Sequence, residues 1–133
     1  MKSMALLGLI LLISTAIGFF YRSKNGVIRK KRRLHISEAE FAGRYGSRVT
    51  ILQFSTTFCS QCRAAKALIS DVVKDEKDIS YLEIDAESNL ALVRKVDVRS
   101  TPTTIFLDKG GYEIARATGA PKRDQLQKVI ASL

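Results

Sequence analysis

The chain has 133 residues, 46% of them hydrophobic, enough for one packed domain plus an extension. Its net charge of +9 reflects 22 basic and 13 acidic residues, but eight basic and no acidic residues precede Ser37, leaving 14 against 13 beyond it. A near-neutral remainder, and a basic run with no aromatics in it, exclude a charged base-stacking surface, so no nucleic-acid partner is expected.

Ser3–Tyr21, SMALLGLILLISTAIGFFY, carries no charge over nineteen residues. As a helix it covers about 28 Å, close to the hydrocarbon thickness of a bilayer. Phe20 and Tyr21 stand where an interfacial aromatic belt would lie. The segment is apolar all round, unlike an amphipathic core helix. It lacks the basic front end and A-x-A site of a cleaved signal peptide. The expectation is an uncleaved single-pass anchor over residues 1–21, with the lipid bilayer as a partner. RSKNGVIRKKRR follows over residues 22–33, seven of the twelve being basic. Set against Lys2 alone on the other flank, this run favours a cell-membrane protein whose C-terminal part faces the cytoplasm. It reads as a solvated juxtamembrane linker that can also rest on anionic lipid.

The remaining segment, residues 34–133, reads as one domain. Ser37 and Glu40 make a capping box, with Ile36 and Phe41 at the positions of a hydrophobic staple, predicting a short helix over 38–44. VTILQFS, residues 49–55, is a strand buried on both faces. A helix runs from Cys59 to about Lys77, with Ala64, Leu68, Ile69, Val72 and Val73 inward. ISYLEID, residues 79–85, is a second strand. ESNLALVRKV is a helix with Leu90, Val93 and Val96 inward. TPTTIFLD is a third strand, DKGG a tight turn, and YEIARATG its hairpin partner. PKRDQLQKVIASL closes the chain as a helix with Pro121 near its first turn. Strands separated by helices imply a parallel part, and the hairpin an antiparallel edge. The fold class is therefore α/β, one mixed sheet with helices on both faces.

TTFCSQCRAAKALI holds the only two cysteines, Cys59 and Cys62. Cys59 falls at a helix N-terminus, where free N–H groups and the helix dipole favour a thiolate, and Arg63 adds positive charge. Cys62, one turn on, is placed to attack a mixed disulfide on Cys59. Cys59 is thus the candidate nucleophile and Cys62 the resolving thiol. Two other readings stay open, a structural disulfide and a zinc site. The first closes too short a loop to add much stability. The second wants four ligands, and the one histidine, His35, lies outside the strand–helix unit. No metal is expected. No flavin, nicotinamide or phosphate-binding glycine motif is present, so no cofactor is expected and reducing equivalents must come through another protein.

The pieces ILQFSTTFCSQC, ISYLEIDAE, VRSTPTTIFLDKGG and ATG before the last helix, in that order, resemble the thioredoxin family over residues 34–133. The resemblance implies a thioredoxin fold and thiol–disulfide exchange. It implies that Pro102 is the family's cis-proline, facing the cysteine pair, with Thr101 before it. A backbone edge there would pair with an extended substrate segment. Departures stand beside these matches. Phe58 occupies the usual tryptophan position, and Ser60-Gln61 that of Gly-Pro. The family's buried aspartate aligns with Gln53, its lysine partner with Tyr81, and the active-site-helix proline with Ala67. Gln53 cannot titrate, so deprotonation of Cys62 falls to water or to Glu83. The Thr101 hydroxyl either bonds a cysteine sulfur and tunes the redox potential or only packs.

The leading expectation is a monomeric, membrane-tethered thiol–disulfide oxidoreductase that reduces protein disulfides. It would be recharged by a reductant protein such as a thioredoxin reductase or a membrane thiol carrier. An extracytoplasmic oxidase, isomerase or reductase of exported proteins is the alternative topology. A binding module that uses the Thr101–Pro102 groove without turnover is the alternative class.

Overall fold

The computed structural model describes residues 1–24, 26–29 and 34–133. Helix α1, Lys2–Lys24, leads the chain. Its span Ser3–Lys24 contains an 18-residue window with a mean hydropathy of 2.2, and the helix is long and apolar enough to cross a membrane. Leu6, Leu9, Ile13, Ile17 and Phe20 are all exposed, so the helix is not part of the domain core.

The next element is one the sequence pattern does not announce. Strand β1, Ile28–Arg29, lies inside the basic segment expected to be a solvated linker. It pairs antiparallel with β5, Glu113–Thr118, matching Ile28 to Ala117 and Arg29 to Arg116. The linker reading is therefore corrected for residues 26–29, and residues 30–33 of the basic run lie outside the described residues. A two-residue edge strand is too short to show any alternation, which is why periodicity misses it.

Helix α2, Glu38–Phe41, is shorter than expected because Ala42 turns into the left-handed region at φ 51°. The Ser37 backbone N–H and its hydroxyl both donate to Glu40 Oε2, at 2.8 and 2.9 Å. Lys95 also reaches Glu40, and the two contacts hold its carboxyl down at about 2 from an ordinary 4.5. The staple pair Ile36 and Phe41 is buried in one cluster.

Strands β2, Val49–Ser55, and β3, Ile79–Asp85, occupy the predicted ranges and run parallel. Strand β4, Thr103–Asp108, pairs antiparallel with β2 and with β5. The five strands lie in the order β1-β5-β4-β2-β3. β2 is an interior strand and fully buried because β3 and β4 flank it and helices cover both faces. The period of two sends its residues to two cores. Leu52 and Phe54 join Phe41, Leu92 and Val96 on the face covered by α2 and by α4, Leu90–Lys95. Val49 and Ile51 join Ile69, Leu126 and Ile130 under α3, Ser60–Val73, and α5, Arg123–Ser132. Burying each large apolar side chain contributes about 1.5–3 kcal/mol, so both layers fix the sheet that carries the site.

Two helix details depart from the sequence reading. In α3, Ala65 faces inward and Ala64 outward, because buried Cys62 sets the phase at i, i+3, i+7 with Ala65 and Ile69. In α4, Leu92 faces inward and Leu90 is 54% exposed. In α5, Pro121 precedes the N-cap Lys122 and so stands near the first turn, as expected.

Candidate active site

β2 ends at Ser55, and four residues later the chain enters α3. Cys59 is its N-cap, in extended conformation, and its sulfur accepts a hydrogen bond from the Cys62 N–H at 3.1 Å. The site sulfur thus takes the role usually filled by a Ser or Asp oxygen, satisfying one of the orphan donors of the first turn. Cys59 and Cys62 are joined by a disulfide, with Cα atoms 5.2 Å apart. Their exposure differs. Cys59 is half-buried and Cys62 only 2% exposed, so an incoming reactant meets Cys59 first. Phe58 beside it is 98% exposed, and Ser60 and Gln61 are exposed on the first turn of α3.

The Thr101–Pro102 peptide is cis, and Pro102 is buried. The hydroxyls of Thr101 and Thr56 lie 3.3 Å apart, so the polar contact of Thr101 goes to the loop before Cys59 rather than to sulfur. A cleft of about 420 Å³ joins Ser55, Cys59, Cys62, Arg63, Glu83 and Asp85. Arg63 and Glu83, picked from the sequence, thus share one opening with both sulfurs.

Gln53, Ser55, Tyr81 and Glu83 have the same strand parity and lie under α3. Tyr81 donates to Gln53 Oε1 at 2.6 Å, and Gln53 Nε2 donates to the Cys62 carbonyl at 2.8 Å. Gln53 is fully buried. Burial, and secondly the charge of Glu83, push the Tyr81 hydroxyl well above its ordinary value of 10, so this pair is neutral at every physiological pH. Glu83 is placed differently. Lys66 Nζ lies 2.5 Å from its Oε2 and the Ser55 hydroxyl donates to its Oε1 at 2.7 Å. These contacts, that with Lys66 the larger, hold the Glu83 carboxyl below its usual range. It is ionised at neutral pH. Lys66, Ser55 and Thr56 went unnoticed in the sequence. The parity that pairs Ser55 with Glu83, and the i, i+4 step from Cys62 to Lys66, were the available signals. Among the described residues no cluster of His, Cys, Asp and Glu could hold a metal.

A family model described as Thioredoxin matches residues 33–132. Thioredoxin H5 of Oryza sativa subsp. japonica is 33% identical over 81 residues, covering 61% of this chain and 59% of that protein. The chain therefore spans under two thirds of that relative's length. Thioredoxin-2 of Saccharomyces cerevisiae is 30% identical over 84 residues, covering 63% of this chain and 80% of that protein. Among solved structures, thioredoxin-2, a component of malaria parasite protein secretion machinery, superposes with a TM-score of 0.60 at 28% identity. That match covers 65% of this chain and 84% of the other. Thioredoxin f from spinach chloroplast reaches 0.58 at 25% identity, over 65% of this chain and 77% of its own. With the sheet order, the half-exposed Cys59 at a helix N-cap and the cis Pro102 all in place, the chain belongs to the thioredoxin family.

Proposed function

We propose that this protein is a membrane-anchored thiol–disulfide oxidoreductase that reduces protein disulfides, its domain facing the cytoplasm. The observation that carries the reading is the asymmetry of the cysteine pair, a half-buried Cys59 at a helix N-cap beside a buried Cys62. In the reduced form, Cys59 thiolate attacks one sulfur of a substrate disulfide. A mixed disulfide forms and one substrate thiolate leaves. Cys62, after losing its proton, attacks Cys59 Sγ. The Cys59–Cys62 bond forms and the second substrate thiolate leaves. Two electrons pass to the substrate and the pair is left oxidised. A reductant protein, such as a thioredoxin reductase or a membrane thiol carrier, returns the electrons. The Thr101–Pro102 edge aligns an extended substrate segment beside Cys59.

The proton of Cys62 leaves to water through the cleft. Gln53 and Tyr81 cannot take it. A carboxylate held below its usual range, as Glu83 is, is a far weaker base than a thiolate, so transfer to it is strongly uphill. Glu83 instead pairs with Lys66 and accepts from Ser55 at the cleft wall. The exposed apolar helix α1 and the basic residues after it support anchoring and the cytoplasmic orientation.

Reduction of a model protein disulfide tests the chemistry. Cys59→Ser abolishes turnover, by at least about a thousandfold, because no nucleophile remains. Cys62→Ser keeps the first attack and accumulates a covalent mixed disulfide, visible as a reductant-sensitive band shift. Turnover surviving Cys59→Ser sinks the reading. A reporter fused after Leu133 tests orientation, and activity of a periplasm-dependent phosphatase there would place the domain on the other side.

A further inference from the structure

We propose that the pairing of residues 26–29 with β5 holds the redox face at the bilayer surface, so that the disulfides reduced are those of membrane-anchored partners lying within roughly 20 Å of that surface. This rests on the anchored-oxidoreductase reading above. A free twelve-residue tether over 22–33 could extend about 40 Å, with a typical end-to-end distance of about 19 Å, and would leave the domain free to turn. The seam removes that freedom. The Gly26 N–H donates to the Thr118 carbonyl at 2.6 Å, and Ile28 and Arg29 pair beyond it. Gly26 has φ +80°, and a Cβ there would meet the Ala120 carbonyl oxygen at 2.2 Å, so glycine is required for the chain to close onto β5 here.

One row of the sheet then runs from the anchor to the cysteines. Thr118, bonded to Gly26, is the register partner of Thr103, and Thr103 of Phe54, which precedes the loop to Cys59. Gly119 N–H donates to the Pro102 carbonyl at 2.8 Å in the same row. All these residues stand at the sheet end that carries the active site. Two residue steps from Lys24 to Gly26 add at most about 7 Å, and three strand spacings add about 14 Å, which brings Phe54, at the foot of the loop that leads to Cys59, within roughly 20 Å of the end of α1. A second observation points the same way. The end of α1 and the loop before Pro102 bound a single cavity of about 500 Å³, lined by Lys24, Arg29, Arg99, Ser100, Thr103 and Thr118 among others. Its rim carries Lys24, Arg29, Arg99 and Arg116 against one carboxylate, Asp97, which pairs with Arg99, and this net positive charge suits the anionic headgroup level where α1 leaves the bilayer. From there the surface continues into a smaller cleft beside Thr101, where Leu90 is exposed. The reaction is the two-electron exchange described above; what the seam selects is which disulfides reach Cys59.

The test uses the full chain in vesicles containing anionic lipid. The probes are lipid-anchored peptides with one internal disulfide, raised on polyproline spacers of about 15 or about 45 Å at equal surface density. Wild type is expected to reduce the near probe at least tenfold faster than the far one. A twelve-residue Gly-Ser insert after Lys24, which leaves Gly26–Arg29 in place, is expected to lower that ratio below threefold. Equal rates on both probes in wild type, or a ratio the insert does not change, overturn the inference. Flotation with the vesicles and reduction of a soluble disulfide are measured on the same samples. Loss of the first removes the anchoring reading and this inference with it, and loss of the second removes the oxidoreductase reading. With both intact, equal rates overturn the surface selection alone.

Discussion

Two walls stand against Cys62, and they differ in charge and in water. The inner wall is Gln53, fully buried, and Tyr81, half-buried, which lie under α3 and are linked by neutral hydrogen bonds to the Cys62 carbonyl. The outer wall is Ser55 and Glu83 at the cleft, with Lys66 paired to Glu83, and the Glu83 and Lys66 side chains keep 32% and 54% of their exposure. Charge is placed only where solvent or a direct partner can carry it, and polar atoms in the dry layer are paired without charge. In a low-dielectric layer an ion costs several kcal/mol, while a matched amide–hydroxyl pair is nearly neutral in free energy. The inner pair holds the Cys62 carbonyl by a hydrogen bond without placing a titrating group in the buried layer.

Placing a charge on the dry side is the largest perturbation. Gln53→Asp removes the donor to the Cys62 carbonyl and puts a carboxyl among buried groups, with an expected loss of about 3 kcal/mol at pH 8 in urea denaturation. Burial raises the pKa of the new carboxyl, so the sign is set. The deficit is small near the unfolded value of about 3.9 and grows as pH rises toward the folded one. The same variant gains a pH step in reductase activity that wild type lacks. A deficit that is flat from pH 4 to pH 8 breaks the comparison. Tyr81→Phe is milder. It keeps the ring and strands Gln53 Oε1, at an expected cost of about 1–3 kcal/mol with no new pH dependence. No loss of stability would mean that the hydroxyl bond carries nothing.

How much of this was readable beforehand depends on the kind of signal. β2 and β3 were legible to the residue because β-branched apolar runs bounded by turns leave few alternatives. Cys59 at a helix start was legible because the strand ended and the amphipathic pattern began around it. The phase of α3 was not, since Ala64 and Ala65 are equally apolar and a buried cysteine decides between them. Leu90 and Leu92 posed the same ambiguity in a six-residue helix too short for its period to speak. The family resemblance put Gln53 and Tyr81 at facing positions, but that they bond each other is a matter of side-chain reach across two strands. β1 was hidden most completely, since two residues in a basic run owe their structure wholly to the open edge of β5.

The smallest effect is expected on the wet side, and it decides what that wall does. Glu83→Gln removes an exposed ion pair with Lys66, which is worth under about 1 kcal/mol. The Glu83 carboxyl is held below its ordinary value, first by Lys66 and then by Ser55. A lowered folded value stabilises the protein above the unfolded pKa of about 4.3, and that contribution is lost as pH falls through the folded value. The stability difference between wild type and Glu83→Gln should therefore be constant from pH 6 to 8 and shrink below about pH 4. Between pH 6 and 9 wild-type Glu83 stays ionised, so its replacement should leave the shape of the activity profile unchanged. A profile that shifts or loses a limb in Glu83→Gln makes this carboxylate a proton acceptor for Cys62. The charged wall would then be part of the reaction, and the division between a dry neutral side and a wet inert one would not hold.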